Sequence, residues 1–387
     1  MMKYRSHEDL DVSEVGMGCY ALSGSYGSVD AEKYKSVLNH ALDLGINLFD
    51  TAATYGEEAE KLLGEVLNPV REDVIVSTKI GMGKDGKPSL AYEDVINACE
   101  NSLDRLGTDY IDIYLVHFDD PDTAVEDTID GLDDLKEEGK IKYYGVSHLP
   151  TERVKEYLKK GDVSFCLIEL SAVSRQSRKK LLPLCQEYGA KAIAFSVTGR
   201  GVLSGKIDED TEFDSSDIRK MDPLFKKERF KSALRISKKL EEIGKKYEKT
   251  SIQVAINWVL SQEGIISALT GPSSKEHLKE NVKGSGWNLK EEDLREIETF
   301  LGEEEEVLRE KEPEIIDEIL KEQLPEELQE AFNDLVYVME VSMDRGMVEE
   351  KKIVPIFQEL IATRREHEDL THNKLEEIRK KAKDIVL

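Results

Sequence analysis

From about residue 15 to residue 300, short apolar runs rich in β-branched residues alternate with longer amphipathic segments. The runs predict eight strands, at 15–18, 47–50, 74–79, 111–117, 141–147, 164–169, 191–196 and 265–270. Helices are predicted between them at 31–44, 92–106, 124–138, 151–159, 178–188 and 251–261. This alternation favours an α/β fold, a (β/α)8 (TIM) barrel. A doubly wound sheet is the alternative, but no Gly-x-Gly-x-x-Gly motif follows the first strand.

Polar residues close four of these predicted strands at a regular spacing. Asp50 lies 29 residues before Lys79, Lys79 lies 38 before His117, and His117 lies 30 before Ser147. Each interval is about one βα unit, so the four residues are expected on one rim of the barrel. In this fold that rim carries the active site.

A tyrosine, Tyr55, follows Asp50 by five residues. An unperturbed phenol has a pKa of about 10 and is a poor acid at neutral pH. A nearby ammonium such as that of Lys79 would lower this pKa, and Asp50 would hold the lysine in place. His117 could donate to a carbonyl oxygen or relay the proton. The set is suited to protonating an oxygen that is gaining negative charge.

Three longer motifs surround these residues: GINLFDTAATYG at 45–56, LDRLGTDYIDIYLVH at 103–117 and GPSSKEHLKEN at 271–281. With them the chain resembles the aldo-keto reductase family over about residues 10 to 300. The resemblance implies a (β/α)8 barrel and hydride transfer from a nicotinamide cofactor. It also implies a catalytic tetrad with Tyr55 as proton donor and Lys79 as its pKa partner. Asp50 would support the lysine, and His117 would orient the substrate carbonyl.

The resemblance further implies a set of cofactor-binding residues: Gly18, Ser147, His148, Phe195, Ser196, Gly201, Lys206, Gly271, Ser273, His277, Glu280 and Asn281. Ser147 and His148 would contact the nicotinamide carboxamide, although many relatives have Asn in place of the histidine. Phe195 would stack on the nicotinamide ring, and Lys206 would face the pyrophosphate. His277 stands where many relatives have Gln or Arg, so NADP is the expected cofactor and NAD the alternative. Leu167 stands where a glutamine usually holds the carboxamide, and leucine cannot make those hydrogen bonds.

Composition excludes several other classes of function. The chain has 54 Lys and Arg against 80 Asp and Glu, and this net charge of -26 argues against nucleic acid as a partner. No run of about 18 apolar residues is present, so no membrane span is expected. The first residues lack the apolar segment of a secretory signal, which predicts a cytoplasmic protein.

No metal or iron–sulfur site is predicted. Four scattered cysteines form neither a paired metal motif nor a disulfide framework. Two histidines near the end, His367 and His372, lie five residues apart, whereas zinc on a helix usually takes a step of four. We therefore interpret both as surface residues.

The pattern changes near Glu303, and we predict a barrel domain at 1–302 and an acidic helical extension at 303–387. Helices are expected to begin at Pro313 and Pro325. Apolar residues recur at helical spacing, as in Leu328, Phe332, Leu335, Val336 and Met339, and in Ile353, Ile356, Phe357, Leu360 and Ile361. These faces could bind a second copy of the chain or another protein.

Two hypotheses follow. The first is an NAD(P)H-dependent oxidoreductase that reduces an aldehyde or ketone carbonyl of a small molecule to an alcohol. The second is a catalytically weak nucleotide-sensing subunit that docks a partner through its C-terminal helices. Leu167, the altered Ser147–His148 pair and the acidic extension motivate this alternative. No motif in the segments 81–88 and 119–123 identifies a substrate.

Overall fold

The computed structural model describes residues 2–27, 29–80, 82, 88–214, 217–321, 324–325, 327–365 and 371–387. Most of the segment 81–88 and the first of the two C-terminal histidines, His367, lie outside the described residues. The chain divides into two compact units, one of residues 1–206 and 240–294 and one of residues 207–239 and 295–387. No helix among the described residues is long and apolar enough to cross a membrane.

The first unit begins with an antiparallel hairpin of β1 (Tyr4–His7) and β2 (Leu10–Ser13). Eight parallel strands follow: β3 (Val15–Gly18), β4 (Leu48–Asp50), β5 (Ile75–Ile80), β6 (Ile111–Val116), β7 (Ile141–Ser147), β8 (Val163–Glu169), β9 (Lys191–Phe195) and β10 (Ile265–Thr270). Each strand pairs with the next, and β10 returns to β3 to close the barrel. The predicted (β/α)8 barrel is confirmed.

The hairpin, which the sequence pattern does not predict, lies at the end of the barrel where the strands begin. Arg5 donates to the carbonyl oxygen of Ile265 at 2.7 Å, and the His7 ring lies 3.1 Å from that of Ser164. Leu10 and Val12 belong to the same buried apolar cluster as residues of the barrel strands. The hairpin therefore covers the end of the barrel where the strands begin, and the end where the strands finish is the one available for a functional site.

The helices that alternate with these strands are α1 (Ala31–Asp43), α2 (Glu57–Leu67), α3 (Tyr92–Leu106), α4 (Val125–Glu137), α5 (Thr151–Lys160), α6 (Gln176–Glu187), α7 (Lys227–Lys245), α8 (Ser251–Leu260), α9 (Lys275–Val282) and α10 (Glu291–Lys321). The local sequence explains their ends. Acidic residues lie in the first turn of α3, and Gly107 ends it in the left-handed conformation at φ 64°. All ten residues of α8 are buried, and a capping box of Thr250 and Gln253 starts it.

The second unit contains α11 (Leu328–Asp344), α12 (Glu350–Arg365) and α13 (His372–Val386), together with most of α7 and α10. Its apolar cluster includes Phe332, Leu335 and Met339 of α11 with Ile353 and Leu360 of α12, all fully buried. The apolar faces on which we based a docking surface are therefore largely packed inside this unit.

The predicted helix starts in this region are wrong. Pro313 lies inside α10, whose helix continues to Lys321. The helix after Pro325 begins three residues later, at Leu328, where the Glu327 side chain accepts from the backbone N–H of Glu330. Proline is tolerated at a helix start but does not by itself specify one, and Glu327 supplies the cap here. The predicted domain boundary at 302/303 falls within α10 and stays a prediction.

The substitution Gly64→Ala should destabilise the first unit by about 3 kcal/mol. A Cβ at Gly64 in α2 would lie 2.0 Å from the carbonyl oxygen of Leu106 at the end of α3, so the two helices would have to separate. Gly302→Ala in α10 is the control, because a Cβ there would meet no atom within 4 Å. That variant should be stabilised by about 0.5 kcal/mol through helix propensity. Urea denaturation of both variants measures the difference, and equal midpoints would contradict the close contact.

Candidate active site

The four residues of the predicted tetrad lie together at the end of the barrel where the strands finish. Asp50 is the last residue of β4, Lys79 is the next-to-last residue of β5, and His117 directly follows β6. Tyr55 ends a short 3-10 turn, Ala53–Tyr55, that follows β4. β4, β5 and β6 are parallel neighbours in the barrel, so residues near their C-terminal ends lie at one rim.

The Lys79 ammonium is the centre of the cluster. The side chain is only 1% exposed. Its Nζ donates to Asp50 Oδ2 at 2.7 Å and to the backbone carbonyl oxygen of Thr51 at 2.6 Å, and it lies 3.5 Å from the Tyr55 hydroxyl. Burial alone would lower the pKa of Lys79, but the attraction of Asp50 and Tyr55 outweighs it and raises this pKa. The lysine therefore stays charged beside the phenol.

Burial raises the pKa of the Tyr55 phenol, while the Lys79 ammonium opposes that rise and Asp50 adds to it. The Lys79 charge acts in the expected direction, but the net shift of the Tyr55 pKa is upward, so the phenol does not have the lowered pKa that we expected. Loss of solvent around the phenolate outweighs the ammonium at 3.5 Å. The consequence is a phenol that keeps its proton at neutral pH and has a cation next to it to stabilise the anion once the proton leaves.

His117 is held as a neutral imidazole. Burial, followed by the Lys79 charge and His148, lowers the pKa of His117 to about 2. Its ring stacks on Phe118 with centroids 4.1 Å apart, and its Nδ1 lies 3.4 Å from Thr54 Oγ1. A neutral imidazole carries one N–H donor, so this ring can orient a carbonyl oxygen without adding charge to the site.

Two of the predicted cofactor residues have buried polar atoms without a hydrogen-bond partner in the described part of the chain. Among the described residues, neither Ser147 Oγ nor Asn281 Oδ1 has a hydrogen-bond partner. Ser147 ends β7, and Asn281 lies in α9. Buried polar atoms of a folded protein are usually satisfied, so these atoms fit the polar groups of a bound dinucleotide.

The backbone is unusual at two non-glycine residues that directly follow strands at this rim. His148, directly after β7, has φ 47°, and Ser196, directly after β9, has φ 55°. Such left-handed conformations are uncommon for these residue types and concentrate at functional sites. The His148 ring also packs against Phe195, with centroids 5.0 Å apart. The predicted carboxamide and ring-stacking residues therefore lie side by side.

Glycines form the neighbouring part of the rim. A Cβ at Gly271 would lie 3.6 Å from the carbonyl oxygen of Gly18, and one at Gly18 would lie 3.7 Å from that of Thr270. These are ordinary contacts, so the protein's own packing does not require glycine at either position. The pair fits a close approach of ligand to backbone.

The predicted adenosine and pyrophosphate residues also pair with one another. Lys206 Nζ lies 3.0 Å from Glu280 Oε2, and Ser273 Oγ lies 3.3 Å from His277 Nδ1. Gly201 has φ 95° and precedes the 3-10 turn Val202–Ser204. These contacts place the loop after β9 next to α9.

Leu167, by contrast, belongs to the barrel core. It is 6% exposed, lies in the central apolar cluster and is in register with Ser147 on the adjacent strand. It supplies no polar atom to this part of the site. Leucine in place of the usual glutamine therefore adds to the apolar core at this position and does not supply another hydrogen-bond donor.

Three contacts of the cluster were not found by sequence reasoning. Ser77 donates to Asp50, the Thr51 carbonyl accepts from Lys79, and the Tyr20 ring packs on Tyr55 with centroids 5.1 Å apart. The contact of Ser77 could have been predicted from the sequence. Residues two apart on a strand point to the same face, and Ser77 lies two residues before Lys79.

Comparisons with known proteins agree with this arrangement. The model of the aldo/keto reductase family matches residues 14–301. The chain is 31% identical to aldo-keto reductase YhdN of Bacillus subtilis, over 78% of this chain and 94% of that protein. It is 30% identical to an NADH-specific methylglyoxal reductase of Escherichia coli, over 74% and 93% of the two chains. The solved glycerol dehydrogenase of Gluconobacter oxydans superposes with a TM-score of 0.72 at 27% identity, over 78% and 95%.

The fold and the matches together define an oxidoreductase built on a (β/α)8 barrel. The chain belongs to the aldo/keto reductase family.

Proposed function

We propose that this protein is an NAD(P)H-dependent reductase that converts an aldehyde or ketone to an alcohol, with Tyr55 as the proton donor. One observation carries the proposal. The Lys79 ammonium, held by Asp50 at 2.7 Å and by Thr51 at 2.6 Å, lies 3.5 Å from a phenol that burial keeps protonated.

NADP(H), with NAD(H) as the alternative, supplies the hydride for the carbonyl carbon when it is bound. Ser147 and Asn281 would bind its polar groups, because their buried oxygens have no partner in the described part of the chain. Phe195 would offer a ring face to the nicotinamide. Lys206 and Glu280 would lie beside the rest of the dinucleotide.

The proton comes from the Tyr55 hydroxyl. As the carbonyl oxygen gains negative charge, the O–H bond of Tyr55 breaks and the proton moves to that oxygen. The electron pair stays on the phenolate, which the adjacent Lys79 ammonium stabilises. The neutral His117 donates its one N–H to the same oxygen and orients it. Reprotonation of Tyr55 from solvent restores the site.

The direct test is consumption of NADPH with a panel of small aldehydes and ketones. We expect turnover with at least one of them, and the same assay with NADH measures the cofactor preference. The relatives include a methylglyoxal reductase and a glycerol dehydrogenase. Methylglyoxal and glyceraldehyde are therefore the first substrates to try. Tight NADPH binding with no turnover across the panel would overturn the proposal.

Such a result would favour the second candidate, a nucleotide-sensing subunit. Leu167 supports it, because the position at which relatives usually have a carboxamide-binding glutamine is occupied here by a leucine packed in the apolar core. In that case a second copy of the chain or a protein partner would bind the outward surface of the C-terminal helices, since Phe332, Leu335 and Met339 are buried. Cross-linking or sedimentation of the full chain with and without NADPH would detect a nucleotide-dependent association.

Ser147→Ala should weaken NADPH binding about tenfold, because the cofactor loses one hydrogen bond to a buried hydroxyl. Ser267→Ala is the matched control. Ser267 is also a buried serine in a barrel strand, but its Oγ already donates to the carbonyl oxygen of Ser13 at 2.8 Å. Loss of the Ser267 hydroxyl should lower the stability of the protein and leave the NADPH dissociation constant unchanged. Fluorescence titration of both variants gives the comparison, and equal constants would remove Ser147 from the cofactor site.

A further inference from the structure

Ser77 lies within the cluster but outside the four residues of the proposed chemistry. Its Oγ donates to Asp50 Oδ1 at 2.9 Å. Both side chains are buried, Ser77 at 1% and Asp50 at 4% exposure. The two residues are in register on adjacent strands, β4 and β5, and the N–H of Thr51 donates to the Ser77 carbonyl oxygen at 2.8 Å. Backbone and side-chain bonds therefore fix this pair together.

The hydrogen bonds divide the Asp50 carboxylate between two donors. Oδ1 accepts from Ser77, and Oδ2 accepts from Lys79 at 2.7 Å. The Thr51 carbonyl oxygen accepts a second Lys79 N–H at 2.6 Å. With two N–H groups committed in fixed directions, the third is left for the Tyr55 hydroxyl at 3.5 Å, the remaining acceptor among the described residues.

We propose that Ser77 is a positioning residue for this site: its hydroxyl fixes the rotation of the Asp50 carboxylate, and so keeps the Lys79 ammonium aimed at Tyr55. The inference rests on the proposed function of Tyr55 as proton donor. Without the hydroxyl, Asp50 Oδ1 would lose its only side-chain donor among the described residues. The carboxylate would then turn both oxygens toward Lys79 and draw the ammonium away from the phenol.

The other groups around the phenol do not replace this effect. Tyr55 is approached by Lys79 from β5, by Asp50 from β4, by Tyr20 from the segment after β3 and by His117 from the segment after β6. Burial keeps His117 neutral, and Tyr20, whose ring packs on Tyr55, adds to the rise of the Tyr55 pKa and does not oppose it. Lys79 is thus the cation that opposes the effect of burial on Tyr55, and its position determines how strongly it does so.

The test uses Ser77→Ala and Ser77→Thr in the full chain, with Tyr55→Phe as the reference for the phenol signal. Phenolate absorbance is titrated with pH, and the curve for the Tyr55→Phe protein is subtracted to isolate Tyr55. In S77A we expect the Tyr55 midpoint to rise by about half to one pH unit, and kcat to fall about threefold to tenfold. S77T keeps the hydroxyl and should titrate as the wild type does. NADPH affinity should not change in either variant.

Three outcomes would overturn the proposal. One is an S77A midpoint and kcat equal to those of the wild type. Another is an S77T shift as large as that of S77A, since a change of packing at this position and not the loss of the hydroxyl would then be responsible. If S77A does not fold, S77C carries the comparison because its volume is similar and its thiol is a weak donor. In that case, the third outcome that would overturn the proposal is a Tyr55 titration midpoint in S77C equal to that of the wild type. The titration needs no turnover, so it decides the role of Ser77 even if the protein reduces no carbonyl.

Discussion

Replacing Tyr55→Phe will lower kcat for carbonyl reduction about a hundredfold to ten-thousandfold, because the substrate oxygen loses its proton donor. The phenyl ring keeps the packing of the tyrosine, whose ring lies 5.1 Å from that of Tyr20 and 6.2 Å from that of His117. Lys79 also keeps its bonds to Asp50 and Thr51. NADPH affinity should therefore remain within about twofold of the wild-type value.

Tyr20→Phe is the matched control for this experiment. This substitution also removes one phenol hydroxyl, from the ring that packs on Tyr55 at the same rim. No contact between Tyr20 and Lys79 is found among the described residues. Steady-state turnover and NADPH titration are measured for both variants. Wild-type turnover in the Tyr55→Phe protein, or an equal loss in the control, would contradict the assignment of the proton donor.

Replacing Lys79→Met will destabilise the protein by about 3–5 kcal/mol, because it leaves the Asp50 carboxylate buried without its countercharge. The lysine is 1% exposed, and its Nζ lies 2.7 Å from Asp50. The double variant with Asp50→Asn removes the buried charge as well, so we expect it to recover much of the lost stability. Activity should stay low in both, since neither retains the cation beside Tyr55.

Lys160→Met serves as the control for that loss of stability. Lys160 also pairs with a carboxylate at 2.7 Å, that of Glu126, but the two side chains are 42% and 59% exposed. Solvent screens such a pair, so its removal should leave the unfolding midpoint close to that of the wild type. Urea denaturation midpoints give both values. An equal effect of the two substitutions would show that the Asp50–Lys79 pair is not shielded from solvent.

The sequence predicted the barrel well because most residues of its strands are buried. Short runs rich in apolar residues marked β3, β7 and β10 at the bounds observed. The hairpin β1–β2 was missed since it is short and β1 is largely accessible to solvent, which weakens the apolar signal. The starts expected at Pro313 and Pro325 were wrong because proline limits where a helix can begin without requiring one to begin there.

The meeting of Asp50, Lys79 and His117 at one rim followed from the sequence for a topological reason. Strands of a parallel barrel all end at one rim, so residues at strand ends meet whatever their separation along the chain. Asp50, Lys79 and His117 are such residues. The pKa of Tyr55 could not be predicted in the same way. Its direction depends on how much solvent surrounds the phenol, which is a property of the folded environment.

The sequence by itself therefore determined the barrel, the family and the residues that meet at its rim, because periodicity and strand order are encoded locally. Only the tertiary structure decided how those residues act on one another. It showed that burial outweighs the Lys79 charge in raising the pKa of Tyr55 and that Ser77 holds the second oxygen of Asp50. It also showed that Leu167 belongs to the core. Distances and solvent exclusion arise from packing between distant segments, and no single segment of the chain contains them.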